Sequence, residues 1–373
     1  MKIAYISGSY LPSRQANSIH VMRMTSAMAE LGHEVVLYGY AGGNEISVDE
    51  IPAFYGVDSR VSFQRIPPRR SRIGRELQYA YQIRPLVASQ KPDLIYGRHL
   101  LGLLSCVGLG PTIYETHAAR SGVNGYLEAW LLRHKNLRAI VAITHALAKD
   151  VQARHQLNVP LVIEPDAVTP VDYERITPAR LVGNGRLKIG YCGHLYPGRG
   201  VELLIEVARQ RSELDFHFVG GEPVDIDRLR ASAADMTNTT FHGFVPPQDV
   251  SRYLAAFDVL VAPYQRRVQV HGGADTSRWM SPMKLFEYMD AAKPIVISDL
   301  PAIAEVVSNE QHALLINPDD TTAWCEALDR LLDPTLRHQL GENARRLVRQ
   351  QYTWRLRAER ILNRFTAGGG ASP

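Results

Sequence analysis

The sequence predicts an α/β protein made of two Rossmann-like domains, each a doubly wound parallel sheet. An apolar run ends at Gly8-Ser9 and is followed by a loop, a helical pattern and a second apolar run. The same order returns about half a chain later, at Lys188–Cys192, Gly193–Gly200 and Val201–Arg211. A chain of 373 residues also exceeds one typical core and suits two domains.

The first half alternates short apolar runs with helical stretches. Its first helix is predicted from about Ile19, because Val21, Met24 and Met28 recur on one face and Gly32 is a stop signal. Such alternation is typical of a parallel sheet covered on both faces. The predicted strands are Ile3–Ser7, Glu34–Tyr38, Val61–Ile66, Asp93–Tyr96, Thr112–Glu115, Ala139–Ile143 and Leu161–Glu164.

The second half repeats this alternation. Residues 169–186 contain prolines and glycines with little apolar periodicity, so we predict a linker there, between a first domain over 1–168 and a second over 187–350. The glycine-rich tail, 367–373, is expected to be disordered. The predicted strands are Lys188–Cys192, Phe216–Val219, Thr239–His242, Asp258–Val261, Ile295–Ser298 and Ala313–Ile316, and the closing helices are Thr322–Leu332, Leu336–Gln350 and Trp354–Phe365.

The composition is that of a soluble globular protein, with 45% hydrophobic and 21% charged residues and a mild formal charge of +4. The three cysteines are far apart, so neither a disulfide framework nor a zinc site is expected, and a reducing cytoplasm fits. We find no apolar run of signal-peptide or transmembrane length and therefore expect a cytoplasmic protein.

The stretch Ser281–Pro294 carries the clearest ligand-binding pattern. Ser281 and Pro282 are typical of a helix start, and the helix is predicted to run to about Ala292. Lys284 would lie at the positive end of the helix dipole, which is unfavourable unless an anion binds there. Glu287, about one turn further, could accept hydrogen bonds from sugar hydroxyls. The alternative is a surface lysine and a solvated glutamate on an ordinary amphipathic helix.

The pattern Ser-Pro-x-Lys-Leu-x-Glu-Tyr resembles a variant of the donor motif of the retaining glycosyltransferases of family four. The resemblance covers most of the chain and is densest between Gly193 and Glu305. It implies the GT-B fold, two Rossmann-like domains facing a cleft, with a final helix over 351–366 packing back on the first domain. It also implies donor binding around Ser281, Pro282 and Leu285, with Glu287 holding the ribose.

The sequence departs from the usual motif at one position. Trp279 stands where the family carries a second glutamate, so the contact of that carboxylate with the donor sugar must be lost or supplied otherwise. We hypothesise that Asp275 or Arg278, in the preceding loop, takes over contact with the sugar or phosphates. The alternative is a solvated loop.

The loop Gly193–Gly200 connects a strand to a helix, where doubly wound sheets bind phosphates. Its spacing is not that of a dinucleotide fingerprint. The resemblance implies that His194 and Arg199 grip the donor diphosphate beside Gly193. A guanidinium binds phosphate at any pH, whereas a neutral histidine donates one hydrogen bond. The alternative is that both are residues of a tight turn.

In the first domain, His117 follows a predicted strand and is expected to project into the cleft. The resemblance implies that it contacts the donor hexose near the reacting centre, although a local hydrogen-bonding role is the alternative. Asn17, Ser18 and His20 follow the first loop and are assigned to the acceptor or phosphate side. His20 could equally be a plain helix residue.

Seven arginines lie between Arg60 and Arg84, against one acid. With the adjoining aromatics they could bind an anionic membrane surface or a pyrophosphate-linked acceptor; a solvated basic loop is the alternative. No motif supports nucleic-acid binding. Asp225 and Asp227 have the spacing of a metal-binding pair but suit a helix start, so neither a metal nor a cofactor is expected.

Together these patterns predict a retaining glycosyltransferase that moves a hexose from a UDP- or GDP-sugar to a glycan, a lipid-linked acceptor or a small molecule. Arg199 and Lys284 would stabilise the departing diphosphate while His117 orients the sugar. Peripheral attachment to the inner face of the membrane is a further expectation. The alternatives are a nucleotide-sugar epimerase or hydrolase, and a catalytically silent binder of sugar nucleotides.

Overall fold

The computed structural model describes residues 1–42, 46–57, 60–69, 71–267 and 277–368. Asp275 and Arg70 therefore lie outside the described residues. The chain divides into two compact units. The first comprises Met1–Asp166 with Trp354–Pro373, and the second comprises Ala167–Thr353.

The first unit contains a seven-stranded sheet among its described residues, in the order β3-β2-β1-β4-β5-β6-β7. Its pairings are parallel, and the order reverses between β1 and β4. The strands are β1 (Lys2–Leu11), β2 (Glu34–Ala41), β3 (Ser62–Ile66), β4 (Leu94–Gly97), β5 (Thr112–Thr116), β6 (Leu137–Ala142) and β7 (Leu161–Ile163). The helices are α1 (Ala16–Glu30), α2 (Ile51–Tyr55), α3 (Arg72–Gln90), α4 (Leu100–Cys106), α5 (Gly122–Leu132), α6 (His145–Arg154) and, from the end of the chain, α14 (Trp354–Gly368).

The second unit has a six-stranded sheet among its described residues, in the order β10-β9-β8-β11-β12-β13, again parallel. Here the order reverses between β8 and β11. The strands are β8 (Lys188–Cys192), β9 (Asp215–Val219), β10 (Thr239–Gly243), β11 (Val259–Ala262), β12 (Ile295–Ser298) and β13 (Leu314–Ile316). The helices are α7 (Val201–Gln210), α8 (Pro223–Ser232), α9 (Val250–Ala256), α10 (Met283–Asp290), α11 (Pro301–Ala304), α12 (Thr321–Arg330) and α13 (Pro334–Gln351).

The predicted α/β class with two Rossmann-like parallel sheets is confirmed, but two element starts were wrong. β1 continues to Leu11, because after a register shift Tyr10 and Leu11 pair again with β2. The helix α1 begins at Ala16 rather than near Ile19. α10 begins at Met283, with Pro282 as its N-cap and no side-chain cap. Ser281 therefore lies outside the helix.

The proline- and glycine-containing segment 169–186 packs on the second unit. The backbone N–H of Ala179 donates to the carbonyl of Arg252 at 2.9 Å, and that of Gly185 donates to Asp215 Oδ2 at 2.6 Å. α14 packs on α1 within the first unit. Among the described helices, none has both the length and the apolar character needed to cross a bilayer.

Two histidines on neighbouring strands of the second sheet form a hydrogen-bonded pair, of which His217 is buried. His217 on β9 is 1% exposed, and its Nδ1 lies 3.1 Å from Nε2 of His242 on β10. Only one of these nitrogens needs a proton to form the bond, so the pair is satisfied when both rings are neutral. Burial, followed by the neighbouring His242, lowers the pKa of His217 to about 4.

This pair should make stability depend on pH. The pKa of His217 is about 4 in the folded chain and 6.5 without its surroundings, so the unfolded chain binds the extra proton between these values. The free energy of unfolding should therefore fall as pH drops from 6.5 towards 4, by up to about 3 kcal/mol. Urea unfolding of wild type and His217→Gln across this range measures the effect, and an unchanged pH dependence in the variant would contradict it.

Candidate active site

A buried cation lies at the carboxyl end of β8, where the strand order of the second sheet reverses. Doubly wound sheets bind ligands at this position. Lys284, in the first turn of α10, places its Nζ 3.9 Å from the centre of the Tyr191 ring and 5.3 Å from that of Tyr264. The Nζ is shut off from solvent and has no hydrogen-bond partner among the described residues. Burial, reinforced by the charge of Arg199, holds the pKa of Lys284 well below its usual range.

Arg199 brings a second positive charge to the same place. Its guanidinium lies 4.8 Å from the centre of the Tyr196 ring and 5.6 Å from that of Tyr264, and its Nη2 donates to the Tyr196 hydroxyl. The Nε is buried and has no hydrogen-bond partner in the described part of the chain. Two cations that repel each other and keep unused donors out of water are stabilised by a bound anion.

The backbone of Gly193 makes room for this cluster. Its φ is +142°, and a Cβ at this position would come within 2.7 Å of Lys284 Nζ. A side chain here would be strained and would also displace the ammonium group. The glycine that follows β8 suits this backbone conformation and leaves room for the ammonium group of Lys284.

The other predicted donor-binding residues lie around this cluster in different environments. Leu285 is buried in the apolar core, and its N–H is taken by the carbonyl of Pro282 at 2.9 Å. Glu287 is partly buried one turn beyond Lys284. His194 is exposed, and its carbonyl accepts from the Tyr191 hydroxyl at 2.6 Å. Ser281 and Arg278 precede α10, where Arg278 is exposed.

In the first unit, a carboxylate at the end of β5 is the centre of a buried network. Glu115 is 0% exposed. Its Oε1 accepts from His117 Nε2 at 2.5 Å and lies 2.8 Å from His20 Nε2. Its Oε2 accepts from the Tyr96 hydroxyl and from Arg357 Nη1, the latter at 3.2 Å. The predicted site residues His20 and His117 thus meet on an acid that the sequence did not single out.

The network continues on either side of Glu115. His20 Nδ1 lies 2.8 Å from Asp166 Oδ1. Arg357, on α14, is fully buried and also donates from Nε to the carbonyl of Pro165 at 2.8 Å. Burial alone would raise the pKa of Glu115, but Arg357 and the histidines outweigh it and hold that pKa well below its usual range. Glu115 is therefore a carboxylate.

This carboxylate determines which nitrogen of His117 carries the proton. Burial, followed by the charge of Arg98, lowers the pKa of His117 to about 3, so the ring is neutral near pH 7. Since the carboxylate of Glu115 can only accept, the single ring proton lies on Nε2. Nδ1 is left as a hydrogen-bond acceptor on a side chain that is 20% exposed.

His20, Glu115 and His117 also form the one group of potential metal ligands found among the described residues, with ligand atoms within 4.8 Å of one another. The guanidinium of Arg357 already supplies a positive charge to the carboxylate, and His117 Nε2 already donates to it. The remaining predicted residues of this unit, Asn17 and Ser18, lie in the first turn of α1, where the Ser18 hydroxyl donates to the carbonyl of Tyr10 at 3.0 Å.

The two units match two different families. Residues 18–168 match the family described as "Glycosyltransferase Family 4", and residues 186–334 match "Glycosyl transferases group 1". A putative teichuronic acid biosynthesis glycosyltransferase of Bacillus subtilis is 25% identical over 165 residues, which are 42% of this chain and 40% of that protein. The 2-deoxystreptamine glucosyltransferase of Streptomyces kanamyceticus is 24% identical over 365 residues, covering 84% of this chain and 89% of that protein.

Solved structures share the fold at low identity. A protein of Anabaena, Alr3699/HepE in complex with UDP-glucose, superimposes with a TM-score of 0.71 at 15% identity and covers 98% of this chain and 100% of its own. The sucrose-phosphate synthase of Thermosynechococcus elongatus gives 0.76 at 17% identity, with 100% of both chains covered.

The fold and the family matches define a glycosyltransferase of the GT-B fold. The Glycosyltransferase Family 4 match, residues 18–168, lies almost wholly in the first unit, and the Glycosyl transferases group 1 match, residues 186–334, lies in the second.

Replacing Arg357 by Met should be strongly destabilising, because it leaves the buried carboxylate of Glu115 without its cation. We expect a loss of about 3–5 kcal/mol in the free energy of unfolding. Arg355→Met is the matched control on the same helix: Arg355 is exposed, so about 0.5 kcal/mol or less is expected. Adding Glu115→Gln to Arg357→Met should restore part of the loss. Equal effects of the two arginine changes in urea unfolding would contradict the network's role.

Proposed function

We propose that the protein is a retaining glycosyltransferase that transfers a hexose from a nucleotide diphosphate sugar, a UDP- or GDP-sugar, to a glycan, lipid-linked or small-molecule acceptor. The observation that carries this proposal is the buried ammonium of Lys284 beside Arg199, without a hydrogen-bond partner among the described residues. A diphosphate supplies the negative charge and the acceptor oxygens that this pair lacks. The position at the carboxyl end of β8 agrees with phosphate binding in doubly wound sheets.

The same two cations can stabilise the transition state. When the bond between the sugar C1 and the β-phosphate oxygen breaks, negative charge grows on that oxygen. Preorganised cations that are kept from water lower the energy of this charge without reorganising. The new bond joins C1 to an acceptor hydroxyl oxygen, and the hydroxyl proton passes to the departing phosphate. The reaction thus needs no oxidant and no metal-bound nucleophile.

His117 suits a role in orienting the sugar. Its neutral ring presents Nδ1 as an acceptor for a sugar hydroxyl, and Glu115 fixes the ring in this tautomer. The low pKa of His117 means that this acceptor is kept across neutral pH. Glu287, one turn beyond Lys284, is placed to accept from the ribose hydroxyls.

Two observations bear on the nucleotide and on the sugar of the proposed donor. Alr3699/HepE, which shares the fold, is solved with UDP-glucose. In this chain Trp279 stands in place of the acid that the resembled motif carries near the sugar. A partly buried indole offers a surface on which a sugar can stack and one N–H donor. It would therefore favour donor sugars bound through an apolar face of the ring over sugars bound by two hydroxyls that donate to one carboxylate.

Two helices carry exposed apolar side chains. These side chains support the proposal that a cytoplasmic enzyme acts here on a membrane-associated acceptor. On α3, Leu77 is 58% and Tyr81 is 82% exposed. On α5, Val123, Tyr126 and Trp130 share one face and are 75%, 82% and 58% exposed. α4 packs against both helices, so the two belong to one layer of the first unit. With the arginines of segment 60–84, this layer suits the interface of an anionic bilayer.

Product analysis tests the proposed reaction. The protein is incubated with UDP- and GDP-hexoses and candidate acceptors, and NMR follows the anomeric configuration of the product. We expect net transfer with retention, and Lys284→Met or Arg199→Met should lower kcat by about 10²- to 10³-fold while leaving nucleoside binding unchanged. Arg209→Met, an exposed arginine paired with Asp235, is the control. Free sugar or an epimer as the sole product, or inversion, would refute the proposal.

Glu287→Ala should weaken binding of the nucleotide by about 1.5–3 kcal/mol, the range for hydrogen bonds to a charged group. Calorimetry with UDP and with the 2′,3′-dideoxy nucleotide measures it. The variant should lose affinity for UDP and should not discriminate between the two nucleotides. Unchanged affinity for UDP in a folded variant would remove Glu287 from the ribose site.

Membrane binding should depend on charge and on the aromatic face. Each basic residue near an anionic surface contributes about 1 kcal/mol, screened over about 8 Å at physiological salt. Arg69→Ser with Arg84→Ser, and separately Tyr126→Ser with Trp130→Ser, should reduce co-sedimentation with anionic vesicles. The exposed arginines of the second unit, changed as Arg175→Ser with Arg266→Ser, are the control. Binding that ignores lipid charge would instead favour a soluble acceptor.

A further inference from the structure

Arg98 lies at the ligand-binding edge of the first sheet and takes no part in the site described so far. It directly follows β4, and its backbone N–H donates to the carbonyl of Ile6 on β1 at 3.1 Å. The strand order of this sheet reverses between β1 and β4. Parallel doubly wound sheets form their binding crevice at this reversal, beyond the carboxyl ends of the strands.

The side chain of Arg98 has an unused donor. Its Nη1 is buried and has no hydrogen-bond partner within the described ranges of the chain. The side chain as a whole keeps partial exposure, so the guanidinium lies at the boundary between protein and solvent. A buried N–H group left without an acceptor costs free energy that a ligand can recover.

Arg98 is next to His117. Successive side chains of a strand alternate between faces, so Tyr96 on β4 and Glu115 on β5 share a face. Arg98 and His117 are the next alternate residues, just beyond the ends of these strands. The hydrogen bond from Tyr96 to Glu115 confirms that this face is common to both strands. The positive charge of Arg98 also contributes to the low pKa of His117, which requires the two groups to be close.

The neighbouring acids already have partners of their own. Glu115 is held by Arg357, Tyr96 and the histidines, and Asp166 lies 2.8 Å from His20. No ion pair joins Arg98 to an acid among the described residues, so it is not the counter-ion that stabilises the network. A merely solvated arginine would expose Nη1, which this one does not.

We propose that Arg98 binds an anionic group, a phosphate or a carboxylate, of the acceptor. This inference rests on the proposed function and narrows its acceptor to hydroxylated molecules that carry a negative charge. Guanidinium forks match both oxyanions. Arg98 belongs to the first unit, whereas Lys284 and Arg199 belong to the second.

The full-length chain is saturated with UDP, which occupies the donor site, and titrated calorimetrically with glucose 6-phosphate and with glucose as the neutral counterpart. Arg98→Met removes the charge, and Arg98→Gln serves if that variant does not fold. Arg98→Lys keeps the charge. Arg138→Met is the matched control: Arg138 is exposed on β6 and donates to the carbonyl of Lys135 at 2.9 Å.

Wild type should bind glucose 6-phosphate at least tenfold more tightly than glucose. Arg98→Met should abolish this preference, Arg98→Lys should retain most of it and Arg138→Met should leave it unchanged. The affinity for UDP should not change in Arg98→Met. A preference that survives Arg98→Met, or a wild type that shows none, would overturn the inference.

Two further outcomes separate this inference from the proposed function. If Arg98→Met weakens UDP binding as much as Lys284→Met does, Arg98 serves the donor diphosphate and the acceptor assignment is wrong. If the charge preference depends on Arg98 as expected but no nucleotide sugar yields product, the anion site stands and the transferase reaction fails.

Discussion

The ammonium group of Lys284 is kept from water without a hydrogen-bond partner among the described residues. Burying this charge costs free energy, and the proposed donor site depends on that cost. Its pKa is lowered by burial and by Arg199, so the charge is fully favourable only when an anion is present. The surroundings maintain this state: Gly193 lets the ammonium approach the backbone, and the tyrosine rings give it a weakly favourable π surface. A bound diphosphate would give this destabilised cation a partner of opposite charge. The groups that bind the diphosphate, Lys284 and Arg199, would then be the same groups that stabilise its negative charge as it leaves the sugar.

In the first unit, by contrast, the buried charge already has hydrogen-bond and ion-pair partners. Glu115 is satisfied by Arg357, Tyr96 and the histidines, and this fixes His117 in one tautomer. Because the cation comes from α14 at the end of the chain, the geometry of a residue on the central sheet depends on the last helix. The exception is Arg98, whose buried donor stays unused at the edge of the same network. The first unit therefore holds the carboxylate of Glu115 in a closed network with the unused donor of Arg98 at its edge, and the second places Lys284 and Arg199 together with unused donors.

Features that depend on residues close to one another in the sequence could be predicted from the sequence. The strands and the positions of Lys284 and Arg199 follow from apolar runs and from loops that connect a strand to a helix. Glu115 left a usable signal, since a charged residue inside a predicted buried strand must have a partner. Arg357 left none, because it is 242 residues from Glu115 in sequence. The start of α1 was misplaced because the register shift that extends β1 is set by pairing with β2, which local propensity does not encode.

The most direct test of this account is the proton balance of nucleotide binding. Calorimetry of UDP and GDP near pH 8 in buffers of different ionisation enthalpy gives the protons taken up or released on binding. If the lowered pKa of Lys284 leaves part of this amine unprotonated near pH 8, a bound diphosphate will raise that pKa. Wild type should then take up protons with the nucleotide that binds, and Lys284→Met should take up none. Binding without proton uptake in wild type, or the same uptake in Lys284→Met, would contradict the claim that this buried cation awaits the donor diphosphate.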